Sequence, residues 1–185
     1  MDMAIQKLVL WPNPELKEPS TDVEPHWVKS DEFKELIRDM TETLLHYGGI
    51  GLSAIQIGVP DRLFVMRTKQ SDKWVVAPFI NPIIRGTDGE LAEVDEGCLS
   101  MPGIIEKVKR YPNVLLSAID LETGERKSWD LEGIEAQCAQ HEMEHMDGKT
   151  LGDNWGPVKC DIVRRKIRKN MKLFNRYVQY QKENA

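Results

Sequence analysis

From residue 31 onward the apolar positions Phe33, Ile37, Met40 and Leu44 return at helical spacing, with Leu36 and Tyr47 alongside, the pattern of an amphipathic helix with one buried face. Ser30 or Asp31 can cap it, the acids Asp31, Glu32 and Glu35 suit its first turn, and Gly48 and Gly49 end it. Ahead of it, LVLWPNPELKEPSTDVEP is rich in proline and turn formers and predicts an extended arm lying over the body. From Leu63 to about Trp129 the period changes. LFVM, WVVAPFINPII and NVLLSAIDL are short apolar or alternating runs broken by Pro, Gly and Asp, which reads as strands and turns. Two further helices are predicted, from about Glu132 to Met146 and from about Pro157 to Lys182. The last has Val158, Ile162, Ile167, Met171, Phe174 and Val178 as its apolar stripe. Helices at both ends with consecutive strands between them predict an α+β fold rather than alternating β and α units, with antiparallel strands packed around the central helix of about Glu132 to Met146, an N-terminal helix and a long C-terminal helix.

With 185 residues, 41% of them hydrophobic, the chain is long enough for one sizeable core and short for two, so residues 1–185 are expected to form a single domain. A formal charge of -5 argues against a general nucleic-acid coat or a specific DNA-binding surface, while leaving room for a local basic one. No apolar run approaches the roughly 20 residues that cross a bilayer. The start, MDMAIQKLVLWP, carries an acid at Asp2, with no basic n-region and no small-residue cleavage site, so neither a secretory signal nor a transit peptide is expected. Cys98, Cys138 and Cys160 show no CxxC spacing, which suits a reducing compartment better than a disulfide framework. A cytoplasmic location is expected, and the sequence does not separate it from an organellar or viral origin.

The stretch AQCAQHEMEHMDGKT changes the picture, because it sets His141 and His145 four apart with Glu142 beside the first. On a helix both imidazoles then face one ion, and the glutamate flanks the open coordination position. A third ligand is needed. The extended zinc-protease pattern H-E-x-x-H-x-x-G-x-x-H finds its glycine at Gly148 but Leu151 in place of the last histidine. The acids downstream, Asp147, Asp153, Asp161 and Glu183, lack a convincing helical context. Upstream, Cys98 in the turn-rich DEGCLSMPG offers a thiolate that could complete a site open at its fourth position. Gly49, Gly51 and Ala54 satisfy a dinucleotide fingerprint by spacing alone, but they follow a helix and precede a strand, the reverse of the required context.

EGCLS at Glu96–Ser100, QHEMEH at Gln140–His145 and GIGLSAIQ at Gly49–Gln56 together resemble the three signature motifs of peptide deformylase, in that family's order. The resemblance implies removal of the N-formyl group from the initiator methionine of newly made polypeptides, with release of formate. It implies that Cys98, His141 and His145 hold a divalent ion, with Glu142 as general base and acid, and with the Leu99 backbone N–H and the Gln56 side chain meeting the oxyanion. Ile50 and Gly51 would offer backbone groups to an extended N-formylmethionyl peptide, and Ile50, Glu96, Gly97, Ile134 and Cys138 would wall a methionine pocket. Fe(II) is the native ion the family implies, while thiolate and imidazole suit Zn, Ni and Co as well.

Some positions depart from the family pattern. Glu144 replaces an aspartate, and by resemblance is expected to pair with Arg110. Ser53 stands where alanine is usual, and Ile105 occupies the approximate position of an arginine. The basic last helix, IVRRKIRKNMKLFNRY, has two readings, a solvated face over a packed stripe or a ribosome-docking surface. Two other classes use the same residues: a metallopeptidase cutting an internal peptide bond, and a catalytically silent metal-binding module.

Overall fold

A computed structural model describes residues 5–183, with side chains described through residue 176; the side chains of Asp2, Val178 and Glu183 lie outside them. The arm ahead of the first long helix is irregular, as expected, apart from a 3₁₀ turn at Pro14–Lys17 and a one-turn helix, α1, at Pro25–Val28. Main-chain bonds pin it to the body, from Val9 N–H to Gln56 O at 2.7 Å and from Trp11 N–H to Ser100 O at 3.0 Å. Next, α2 spans Asp31–Tyr47. Its N-cap is Ser30, whose Oγ accepts from the Phe33 N–H at 3.0 Å. Gly48 ends it at φ 69°, a left-handed conformation that costs glycine little. The predicted face is buried: Phe33, Ile37, Met40 and Leu44 pack with Leu52, Leu63 and Val65.

Among the described residues seven strands follow, β1 (Gly51–Ser53), β2 (Leu63–Gln70), β3 (Lys73–Asp88), β4 (Ala92–Gly97), β5 (Ile105–Arg110), β6 (Asn113–Ile119) and β7 (Arg126–Glu132). All pair antiparallel, five in a sheet of order β1-β2-β3-β6-β7 and two in a separate β4-β5 hairpin. The short β1 lies ahead of the region read as strands, since three residues are too few to show a period.

The helix α3 occupies Ile134–Met146. It begins later than about Glu132 because Glu132 still pairs with Asn113 in the sheet, and Gly133 then turns the chain at φ 55°. It packs on β1, β2, β6 and β7, and Ala136, Cys138, Ala139 and Met146 join Phe64, Met66, Phe79 and Leu116 in a second core.

The last helix, α4, runs Pro157–Glu183, and its buried face differs from the expected stripe. Val163 and Ile167 pack on Trp11, Leu16, Met101 and Ile104, whereas Val158 is 75% exposed and Ile162 61%. The stripe read from sequence merged two faces: Val158 and Ile167 lie on opposite sides of a helix that turns about 100° per residue. The result is an α+β fold of antiparallel sheets with a C-terminal helix. Among the described residues no helix is long and apolar enough to cross a membrane.

Candidate metal centre

One face of α3 presents His141 and His145 with their rings edge to face, centroids 4.7 Å apart. After β4 the chain turns through Cys98, a turn closed by the Met101 N–H on Cys98 O at 2.9 Å. Cys98 Sγ thereby comes to 3.1 Å from His145 Nε2. The candidate ligand atoms of Cys98, His141 and His145 all lie within 4.8 Å of one another, the one such cluster among the described residues. Bonds of about 2.0–2.3 Å from nitrogen and sulfur put the donors around one tetrahedral ion roughly 3–4 Å apart; the Cys98–His145 separation of 3.1 Å falls in that range, and the donor set suits one cation. The downstream acids are engaged elsewhere. Asp147 pairs with Arg62, Asp153 with Lys17 and Asp161 with Arg164.

Behind the cluster, His141 Nδ1 meets Glu96 Oε1 at 2.5 Å, the histidine–carboxylate contact that fixes which ring nitrogen faces a metal. Arg110 holds both oxygens of Glu96, Nε to Oε2 at 2.9 Å and Nη2 to Oε1 at 2.8 Å. The same guanidinium reaches Glu144 at 2.6 and 2.8 Å, so the longer acid at 144 keeps its arginine. Burial alone would raise the Glu96 pKa, but hydrogen bonds from His141 and Arg110 outweigh it and hold the carboxyl at about 2. Burial likewise opposes charge on His141, yet the Cys98 sulfur and Glu96 outweigh it and push its pKa well above the usual imidazole value. His145, buried beside that ring, is pushed well below. A cation bound to His141 must displace its proton, which makes metal affinity pH-dependent.

Glu142 is buried, which raises its pKa, and its Oε2 accepts from Ser53 Oγ at 2.5 Å. Gln56, also buried, accepts on Oε1 from the Ser53 N–H at 2.9 Å. Its Nε2 donates to Ser100 Oγ at 3.1 Å and lies 3.5 Å from Cys98 Sγ. Leu99 follows Cys98 in the turn. A Cβ at position 51 would stand 2.5 Å from both Cys138 Sγ and Glu142 Oε1, so only glycine fits there. Burial, followed by the negative charges of Glu142, Glu96 and Glu135, raises the Cys138 pKa well above normal and keeps it a neutral thiol.

A cleft of about 420 Å³ opens over these groups. The expected wall residues Ile50, Gly51, Glu96, Gly97, Ile134 and Cys138 all line it, beside Leu99, His141 and Glu142. Ile105 stands at its rim, 63% exposed. Sequence reasoning missed Leu8, Tyr47, Met171 and Phe174. Phe174 of α4 stacks on Tyr47 at the end of α2, centroids 5.1 Å apart at 27°, and no local pattern links those distant helices. The sequence offers Glu96 only as a pocket wall; its place two residues before Cys98 in one motif is the available sign of its contact with His141.

The fold and the cluster define a candidate metal-dependent hydrolase. The family model described as polypeptide deformylase matches residues 5–160. A peptide deformylase of Phenylobacterium zucineum is 37% identical over 171 residues, 92% of this chain and 99% of that protein. One from Xylella fastidiosa is 38% identical over 167 residues, 90% of this chain and 96% of that protein. Among solved structures, a peptide deformylase from Legionella pneumophila is similar with a TM-score of 0.81 and 36% identity, covering 94% of this chain and 99% of that one. The Ehrlichia chaffeensis peptide deformylase in complex with actinonin gives 0.80 and 29%, covering 90% of this chain and 98% of that one. The chain belongs to the polypeptide deformylase family. These are metal-dependent hydrolases that remove the N-formyl group from nascent peptides.

Proposed function

We propose that Cys98, His141 and His145 hold one divalent ion, Fe(II) in the native enzyme with Zn, Ni or Co able to replace it, and that Glu142 is the general base. The observation carrying this reading is the convergence of one sulfur and two imidazoles beside a buried carboxylate. A bound divalent cation supplies a water whose pKa falls from about 15.7 toward about 7, and it polarises the formyl carbonyl. Glu142 takes the proton of the attacking water and returns it to the departing amine. Its raised pKa suits both halves of that transfer. As the formyl oxygen gains charge, the Gln56 amide and the Leu99 N–H donate to it.

The peptide lies extended along β1. That strand is the edge of its sheet, and Gly51 leaves room for the substrate main chain, so backbone hydrogen bonds accept any sequence. The methionine side chain enters between Ile50, Glu96, Gly97, Ile134 and Cys138. The whole chain acts as one catalytic domain whose strands are arranged about α3, working in the cytoplasm where nascent chains emerge. The outer face of α4, where exposed Val158, Ile162 and Leu173 alternate with Arg165 and Lys169, docks on the ribosome.

The test is formate release from formyl-Met-Ala by wild type and Glu142→Gln, with metal content measured in both. Turnover falls by about 100- to 10,000-fold at equal metal content, and unformylated Met-Ala is left intact by either. Equal turnover would remove Glu142 from the base role, and cleavage of the unformylated dipeptide would point to a peptidase.

A further inference from the structure

Ser53, the last residue of β1, is fully buried. Its main-chain N–H donates to Gln56 Oε1 at 2.9 Å, and its hydroxyl stands 2.5 Å from Glu142 Oε2 and 3.2 Å from the Glu142 main-chain oxygen. A hydroxyl has one proton to give. The shorter contact to the charged acceptor takes it, as charge-assisted bonds do. One small residue therefore touches both the carboxylate assigned as base and the amide assigned to the oxyanion, although these lie on different elements.

The carboxylate is constrained from both sides. Oε2 is bonded to Ser53, and Oε1 abuts Gly51, where even a Cβ would come within 2.5 Å. Gly51 and Glu142 both line the cleft, so the hydroxyl fixes the rotation of the carboxylate about its last bond and presents the other oxygen toward the substrate side. In this chain alanine at 53, the residue the family pattern usually carries, would leave Oε2 without this donor and the carboxylate held only on its Gly51 side. The strand itself is fixed by pairing, with Ser53 opposite Phe64 of β2, so the hydroxyl is held by the sheet and not by a mobile loop.

We propose that Ser53 is a positioning residue for deformylation, orienting the Glu142 carboxylate through its hydroxyl while its main chain orients Gln56. This rests on the assignment of Glu142 as base. Ser53→Ala removes the hydroxyl, with its capping contact to the Gln56 main-chain N–H, and keeps the bond from the Ser53 N–H to the Gln56 side chain. Its kcat falls about tenfold, the scale of one hydrogen bond to a charged group. KM for formyl-Met-Ala stays unchanged, and the visible absorption of the cobalt-loaded variant matches wild type because no proposed ligand has moved. In a Glu142→Gln background the same substitution lowers the residual turnover no further, since there is no longer a base to orient.

Unchanged kcat in Ser53→Ala overturns the proposal. So does an equal loss in the Glu142→Gln background, or a loss that comes with a raised KM and an altered cobalt spectrum. If Glu142→Gln alone leaves turnover intact, it is the base assignment that fails, a result distinct from any of these.

Discussion

Glu96 is buried between a histidine and an arginine, and its ionised form is the one both neighbours favour. With its pKa held at about 2 in the folded chain against 4.5 ordinarily, the unfolded state binds the proton first as pH falls. The stabilisation from this group is therefore fully present above about pH 4.5, is lost between about 4.5 and 2, and amounts to roughly 3 kcal/mol, of which roughly 2 is gone by pH 3. In metal-free protein, urea unfolding at pH 6 and pH 3 measures the difference. Glu96→Gln shrinks the acid-induced loss by roughly 2 kcal/mol, and a loss as large as wild type would place the linkage elsewhere. At this scale the sequence was informative wherever the chemistry is local, as with the spacing of His141 and His145 or the cysteine turn. The resemblance gave Arg110 to Glu144, as found, but the sequence was silent on the same guanidinium serving Glu96, because that contact depends on how the β4-β5 hairpin sits against α3. Ser53 was legible only as an unusual letter in a motif; its meaning needed the carboxylate across from it.

The helix α4 shows how periodicity misleads when a helix has apolar residues on two faces. Val158 and Ile162 match the spacing of a buried stripe as well as Val163 and Ile167 do, and only the partners Trp11, Leu16, Met101 and Ile104 decide between them. Chemical denaturation separates the faces. Ile167→Ala, emptying a packed site, destabilises by about 2–4 kcal/mol, while Val158→Ala stays within about 0.5 kcal/mol. Comparable losses would mean that the outer face is packed too. By contrast α2 was readable throughout, since its cap Ser30, its single stripe and its terminal Gly48 all agree. The three residues of β1 were not, because they carry no period and gain strand geometry only by pairing with β2.

For the whole molecule, the proposed ligands come from regions far apart in sequence, the turn after β4 and the middle of α3, so a bound ion ties the hairpin to the helix. A ligand that binds only the folded state at about 1,000 times its Kd adds about 4 kcal/mol, which for a chain of this size corresponds to a Tm rise on the order of 10 °C. Thermal melts with chelator and with added zinc measure it. The rise is largely abolished in Cys98→Ala; a rise that survives there would locate the ion at another site. The α+β class and the order of the elements were visible from the hydrophobic pattern. The division into a five-stranded sheet and a separate hairpin was not, since strand partners are chosen by the tertiary packing rather than by any run of residues.

The two faces of α4 have a geometric consequence. Its inner side carries Met171 and Phe174 into the wall of the cleft, while Val158, Ile162 and Leu173 look outward. A helix with its side chains is about 10–12 Å across. Residues on the rear of this rod therefore stand about one rod's thickness from the cleft, and the Phe174–Tyr47 stack ties the rod to α2 at the cleft wall.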